Sequence, residues 1–158
     1  AYKRSYRAVT LRGIDCHIGS GITDLLVFRE AFRRMAEIVT AIENDGLSLE
    51  CIDVGGGLGV SYTGGEGPSL TEYALVVQET LGGLGKRLLF EPGKWLFAHS
   101  AVLLTTVLYL KRSREREFVI VDAGFNDLLR PVLYEAYHSI TPVVSRSERE
   151  IRTVDIVG

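Results

Sequence analysis

The sequence predicts a parallel α/β fold followed by a β-rich segment, and three observations carry that expectation. Three β-like runs recur at nearly equal spacing: "VTLRGIDCHI" (Val9–Ile18), "LSLECIDV" (Leu47–Val54) and "KRLLF" (Lys86–Phe90). Their centres, Ile14, Ile52 and Leu89, stand 38 and 37 residues apart. Helical patterns fill both intervals, and alternating strand and helix implies parallel strands. After Trp95 the character changes to short β-branched runs separated by charged turns, which reads as antiparallel β.

The first interval holds "TDLLVFREAFRRMAEIVTAIENDG", where Thr23 can cap a helix. Leu26, Phe28, Phe32, Met35, Ile38, Val39 and Ile42 make a broad apolar face, and Gly46 stops it. The second interval, "SLTEYALVVQETLGGLG", gives a shorter helix opened by Ser69 or Thr71 and closed by glycines. This period suits βα units of an open doubly wound sheet or of a (β/α)₈ barrel. Three strands cannot close a barrel, which takes about 250 residues. The later runs "VLLTTVLYLK", "EFVIVDAG", "ITPVVSR" and "IRTVDIVG" are the expected β strands, with a boundary between Ala98 and Arg116.

Composition excludes several classes. With 158 residues, 46% hydrophobic and 24% charged, the chain suits one ordinary core. A net charge of −2 leaves no polybasic footprint, so no nucleic-acid partner is expected. The most apolar stretch, Ala101–Leu110, is too short to span a bilayer, and the start lacks a signal-peptide core. No membrane partner and a cytoplasmic setting are therefore expected. Cys16 and Cys51 read as small buried thiols of a reducing compartment. The opening without Met and the strand-like ending "TVDIVG" suggest a segment of something longer.

Each run of the repeat ends in an unusual cluster: "HIGSG" (His17–Gly21), "GGGLG" (Gly55–Gly59) and "EPGK" (Glu91–Lys94). Carboxyl ends of parallel strands line the ligand crevice, so the three should converge. Adjacent glycines let backbone N–H groups approach an anion, and Ser20 adds a hydroxyl. Glycines at a βα corner are also plain turn chemistry; the joint occurrence is what points to a phosphate. His17, a core histidine in most settings, stands here where its flat ring can stack on a flat ligand. No second His or Cys lies at metal-ligand spacing and no nucleophile elbow is present, so no metal is expected. Glu91 closes an apolar run, where an unpaired carboxylate is costly. Its partner is either Lys94, as a local ion pair, or a protonated heterocyclic nitrogen of a cofactor acting as electron sink.

"GIDCHIGSG", "IDVGGGLGVSY", "LLFEPGKW" and "FVIVDAGFNDLLRPVLYEAYHSI" together resemble the diaminopimelate decarboxylases, of the alanine-racemase-like fold. The resemblance covers nearly the whole chain. "HIGS", "GGG" and "EPG" are shared with ornithine- and arginine-type relatives, whereas Val121–His138 is more particular to the diaminopimelate branch. It implies the late part of a (β/α)₈ barrel over residues 1–97 and the start of an antiparallel β domain over 98–158. It further implies pyridoxal 5'-phosphate as cofactor, a dicarboxylate diamine as substrate, and a homodimer sharing its active sites.

By the same resemblance His17 would stack on the pyridine ring, while Ser20, Gly55, Gly56 and Gly57 would hold the phosphate. Glu91 would pair with the ring nitrogen as the catalytic acid group, and Pro92, Gly93 and Lys94 would also contact the cofactor. Lys94, Arg130 and Tyr134 would bind substrate, and Arg suits a carboxylate in bidentate fashion. The family's cofactor lysine, in an "AVKAN"-like motif, is not among Lys3, Lys86, Lys94 and Lys111, and its "CESGD"-like motif is also missing. The chain is therefore expected to be a middle segment, inactive alone. Gly21 stands where Gln is common, although related decarboxylases use Gly; Phe125 stands where Met is usual, and Lys94 where Arg is usual. A point charge cannot replace a planar two-pronged grip, so Lys94 implies weaker or altered substrate binding. The competing readings are an ornithine- or arginine-type decarboxylase and a non-catalytic binding or regulatory homologue.

Overall fold

The computed structural model describes residues 8–65, 67–144 and 152–158. The chain divides into two compact units, Ala1–Ala101 and Val102–Gly158. In the first, β1 (Gly13–Asp15), β2 (Cys51–Asp53) and β3 (Arg87–Leu89) form a parallel sheet in sequence order. Ile14 pairs with Ile52 and Ile52 with Leu88. The true repeat thus steps onto Leu88, one residue before the expected Leu89. Side chains alternate across a sheet, so that single residue decides the face. Leu88 packs against the core, while Leu89 is 38% exposed. The strands are shorter than the apolar runs, but backbone bonds continue beyond them, as in Cys16 N–H to the Asp53 carbonyl (3.1 Å).

Two helices cover one face of this sheet. Helix α1 (Leu25–Asn44) is capped by Asp24, not Thr23, because Asp24 Oδ1 accepts from the Leu26 N–H at 2.9 Å. Its buried stripe is Phe28, Phe32, Met35 and Val39, whereas Leu26 and Ile38 stand in the open, so the apolar face is narrower than expected. Helix α2 (Leu70–Leu81) starts at Ser69, whose hydroxyl accepts from the Glu72 N–H. A 3₁₀ turn over Gly82–Leu84 ends it. Phe28, Phe32 and Tyr73 interlock where the helices meet, with Phe28 edge-on to Tyr73 at 5.2 Å. Burial there pushes the Tyr73 phenol up to about 12. Beneath them Ile52, Val54 and Leu58 complete the core. Cys16 and Cys51 are free but only half-buried; Cys51 sits one residue before Ile52 and so faces away from the helices.

A short helix, α3 (Gly93–Phe97), follows β3, with Trp95 against the core. In the second unit β4 (Val107–Arg112) and β5 (Glu117–Val121) are antiparallel, joined by a turn in which Ser113 N–H meets the Arg116 carbonyl at 2.8 Å. The final strand β6 (Asp155–Val157) runs parallel to β5. The stretch between them is long enough for a parallel return, which a hairpin is not. A single helical turn, α4 (Arg130–Tyr134), lies in that stretch. Of the expected strand "ITPVVSR", Ile140–Val144 are not β structure, and residues 145–146 lie outside the described residues, as does Ile151. Among the described residues, no helix is long and apolar enough to cross a membrane.

Ile52 is fully buried under both helices, so Ile52→Ala should cost about 3 kcal/mol, measured by urea unfolding. The Lys86 ammonium lies 2.5 Å from Glu43 Oε1 and holds that carboxyl below its usual 4.5. A depressed folded pKa means the stabilisation is present above pH 4.5 and lost as pH falls. The urea midpoint should therefore drop on acidification through that range, and Lys86→Met should flatten the drop.

Candidate active site

The carboxyl ends of β1, β2 and β3 point the same way, and the segments leaving them meet. Ile22 N–H donates to the Gly57 carbonyl (2.9 Å), Gly59 N–H to the Ile22 carbonyl (2.8 Å) and Glu91 N–H to the Gly55 carbonyl (2.9 Å). The "HIGSG", "GGGLG" and "EPGK" segments are thus stitched into one surface, as their places at the strand ends predict.

Glycine is obligatory in the middle of it. A Cβ on Gly56 would lie 2.2 Å from the Glu91 carbonyl oxygen, and one on Gly57, where φ is +92°, 2.3 Å from that of Gly19. Neither neighbour is a flexible side-chain end, so any other residue must push two backbones apart. The same closeness sets His17 against the loop: its Nδ1 accepts from the Gly56 N–H at 3.3 Å. In the neutral ring this assigns the proton to Nε2. His17 Nδ1 lies 4.0 Å from Glu91 Oε2, and both side chains remain at least half exposed.

Glu91 therefore stands open at the cluster rather than buried at a strand end, two residues past β3 where the chain has turned outward. Its neighbour across the cluster is the His17 ring, and among the described residues Glu91 makes no ion pair with Lys94. Lys94 instead extends toward the first loop, its Nζ 3.7 Å from where a Cβ on Gly21 would sit.

Two residues not singled out from the sequence complete the cluster. The carboxylates of Asp15, Asp53 and Glu91 lie within 4.8 Å of one another. Asp53 Oδ1 also accepts from the Gly55 N–H at 2.9 Å, tying the glycine loop to its strand. The signal was legible in the repeated "ID" of "GIDC" and "CIDV", which places Asp15 and Asp53 in register at adjacent strand ends. Converging carboxylates favour a cation among them. A half-exposed imidazole face, acidic groups that favour a ring cation, and glycine loops that admit a bulky anion fit pyridoxal phosphate. An apolar groove of about 400 Å³ between α2 and β3 has no charged side chain in its lining and does not suit that ligand.

Ser20 is exposed on the first loop, and Pro92 and Gly93 begin the turn into α3. Arg130 and Tyr134 belong to the second unit, at the two ends of α4. There Arg130 Nη1 lies 3.2 Å from His138 Nε2, and Tyr134 is exposed. Upstream, Asp122 of "VDAG" accepts from the Thr105 hydroxyl (2.6 Å) and the Thr106 N–H (2.7 Å), which hold its carboxyl below the usual range.

Residues 3–98 match the family described as pyridoxal-dependent decarboxylase, pyridoxal binding domain. The diaminopimelate decarboxylase of Zymomonas mobilis is 44% identical over all of this chain and 38% of its own length. That of Neisseria meningitidis is 42% identical, over all of this chain and 39% of its own. The chain thus spans about two-fifths of these relatives. The crystal structure of diaminopimelate decarboxylase from Helicobacter pylori complexed with L-lysine superposes with a TM-score of 0.91, at 39% identity, over 99% of this chain and 39% of that one. A protein from Aquifex aeolicus superposes at 0.93, with 35% identity, over 99% and 39%.

The close approach at Gly56 makes a direct test. Gly56→Ala should lose about 2 kcal/mol of stability, read by urea unfolding, with cofactor affinity falling alongside in a pyridoxal phosphate fluorescence titration.

Proposed function

The chain belongs to the family of pyridoxal-dependent decarboxylases, and from that premise we propose that its complete protein converts meso-2,6-diaminopimelate to L-lysine. The observation that carries the proposal is the union of His17, the Gly55–Gly57 loop and Glu91 in one stitched surface at the strand ends. The likeness to diaminopimelate decarboxylases over the whole chain, "VDAGFNDLLRPVLYEAYH" included, supports the choice of substrate.

In this reading residues 1–97 are late staves of a (β/α)₈ barrel and 98–158 the start of its β domain, in a cytoplasmic homodimer with shared active sites. The sheet supports it: the face opposite the helices carries Asp15, Cys51, Arg87 and Leu89, none of them fully buried. Further strands would turn that face into a barrel interior.

Bound pyridoxal phosphate supplies the electron sink for the carbon that loses its carboxylate. This chain's residues do the rest by position. His17, its Nδ1 pinned by the Gly56 N–H, would offer its half-exposed ring face for the cofactor ring to stack on. Ser20, Gly55, Gly56 and Gly57, with Pro92, Gly93 and Lys94 of the adjoining turn, form the anion side of the cradle. Glu91 keeps a proton on the ring nitrogen, and Asp15 and Asp53 add negative charge beside it. Lys94, Arg130 and Tyr134 are each suited, by charge or hydroxyl, to a carboxylate of the substrate.

Because the Glu91 side chain is 60% exposed, Glu91→Ala should leave the unfolding midpoint nearly unchanged while cutting turnover by at least a hundredfold. Unaltered turnover in the complete enzyme would refute its role. Assays of the complete protein on meso-diaminopimelate, ornithine and arginine decide the substrate. Release of carbon dioxide from the first alone is the expected result, and preference for either of the others would replace this reading with the ornithine or arginine one.

A further inference from the structure

We propose that Gly21 is a positioning residue for Lys94: the missing side chain at 21 leaves the space toward which the Lys94 ammonium reaches. This rests on the reading of the strand-end surface as a cofactor cradle, and it adds a residue to which that reading gives no part.

Both backbones are held. The Gly21 segment is clamped by the bonds of Ile22 N–H to Gly57 and of Gly59 N–H to Ile22. It also lies so close to Gly59 that a Cβ there would be 3.0 Å from the Gly21 carbonyl carbon. The loop therefore cannot back away from a larger residue. On the other side, Lys94 sits in α3, fixed by Ala98 N–H to the Lys94 carbonyl (2.9 Å) and by Trp95 against the core. Between these two fixed points the Nζ stands 3.7 Å from the Cβ direction of Gly21, whose φ is +76°.

A single Cβ at that distance is ordinary contact; every heavier atom added along it enters the space of the ammonium. A longer side chain at 21 would displace the cation from the "HIGSG" loop, and a wider guanidinium at 94 would meet the loop earlier than an ammonium does. Glycine at 21 and lysine at 94 are then one arrangement rather than two independent features. The ammonium is kept at the anion side of the cradle, beside the exposed hydroxyl-bearing loop. Asn tolerates a positive φ better than other residues, so Gly21→Asn tests the space rather than the backbone.

The test is a double-mutant cycle on equilibrium binding of pyridoxal phosphate, with pyridoxal as the probe lacking phosphate. Gly21→Asn and Lys94→Met should each weaken pyridoxal phosphate binding by about tenfold, and the double variant should be no weaker than either single one. Pyridoxal binding should change little in all three. Additive losses, or equal losses for both probes, would overturn the coupling and leave the cradle standing. Failure of the unaltered protein to bind pyridoxal phosphate would overturn the cradle, and the coupling with it. Should Gly21→Asn unfold, dimethylation of the lysines with ¹³C label gives a second reading. The Lys94 methyl signal, identified by its loss in Lys94→Met, should shift in Gly21→Ser, whose hydroxyl adds the atom beyond Cβ, and an unmoved signal would overturn the proposal.

Discussion

The contact on which the candidate site depends is the approach of three backbones at Gly55–Gly57. One loop meets the carbonyls of Cys16, Gly19 and Glu91 at distances that leave no room for a Cβ. That closeness lets a histidine from β1's exit accept a hydrogen bond from β2's exit, with a glutamate from β3's exit 4.0 Å away. Without the glycines the loops would separate by the width of a methyl group, and no side chain on them would keep its place.

The core serves this contact indirectly. Ile14, Ile52 and Leu88 share a register, which brings the three strands to an end at one level. The register is held by Phe28, Phe32 and Tyr73 pressing on one face, so aromatic packing on the helix side fixes the alignment of polar groups at the strand ends. A slip of one residue would turn Asp15 or Asp53 toward the helices. Among the described residues of the first unit no helix covers the opposite face, and Arg87 and Leu89 are exposed there.

Charge is distributed with the same economy. Asp15, Asp53 and Glu91 gather negative charge on one side of the stitched surface, while Lys94 extends toward Gly21 of the first loop. A ligand with a cationic ring and an anionic tail matches both. Neither side of this arrangement depends on a buried ionised group, since Glu91 and His17 are both substantially exposed. An acid after an apolar run is accommodated geometrically: the strand ends before Glu91, and the turn carries it out.

By itself the sequence determined the local matters: the two helices, the order of the strands and the glycine clusters at their ends. Those are properties of periodicity and turn chemistry, which act over a few residues. Only the tertiary structure decided that Asp24 rather than Thr23 caps α1, that Leu88 rather than Leu89 faces the core, and that Lys94 turns toward Gly21 instead of pairing with Glu91. It also decided that β6 lies parallel to β5. Each of these depends on which distant segment lies alongside, and a pattern of apolar residues fixes spacing along the chain but not the neighbour across it.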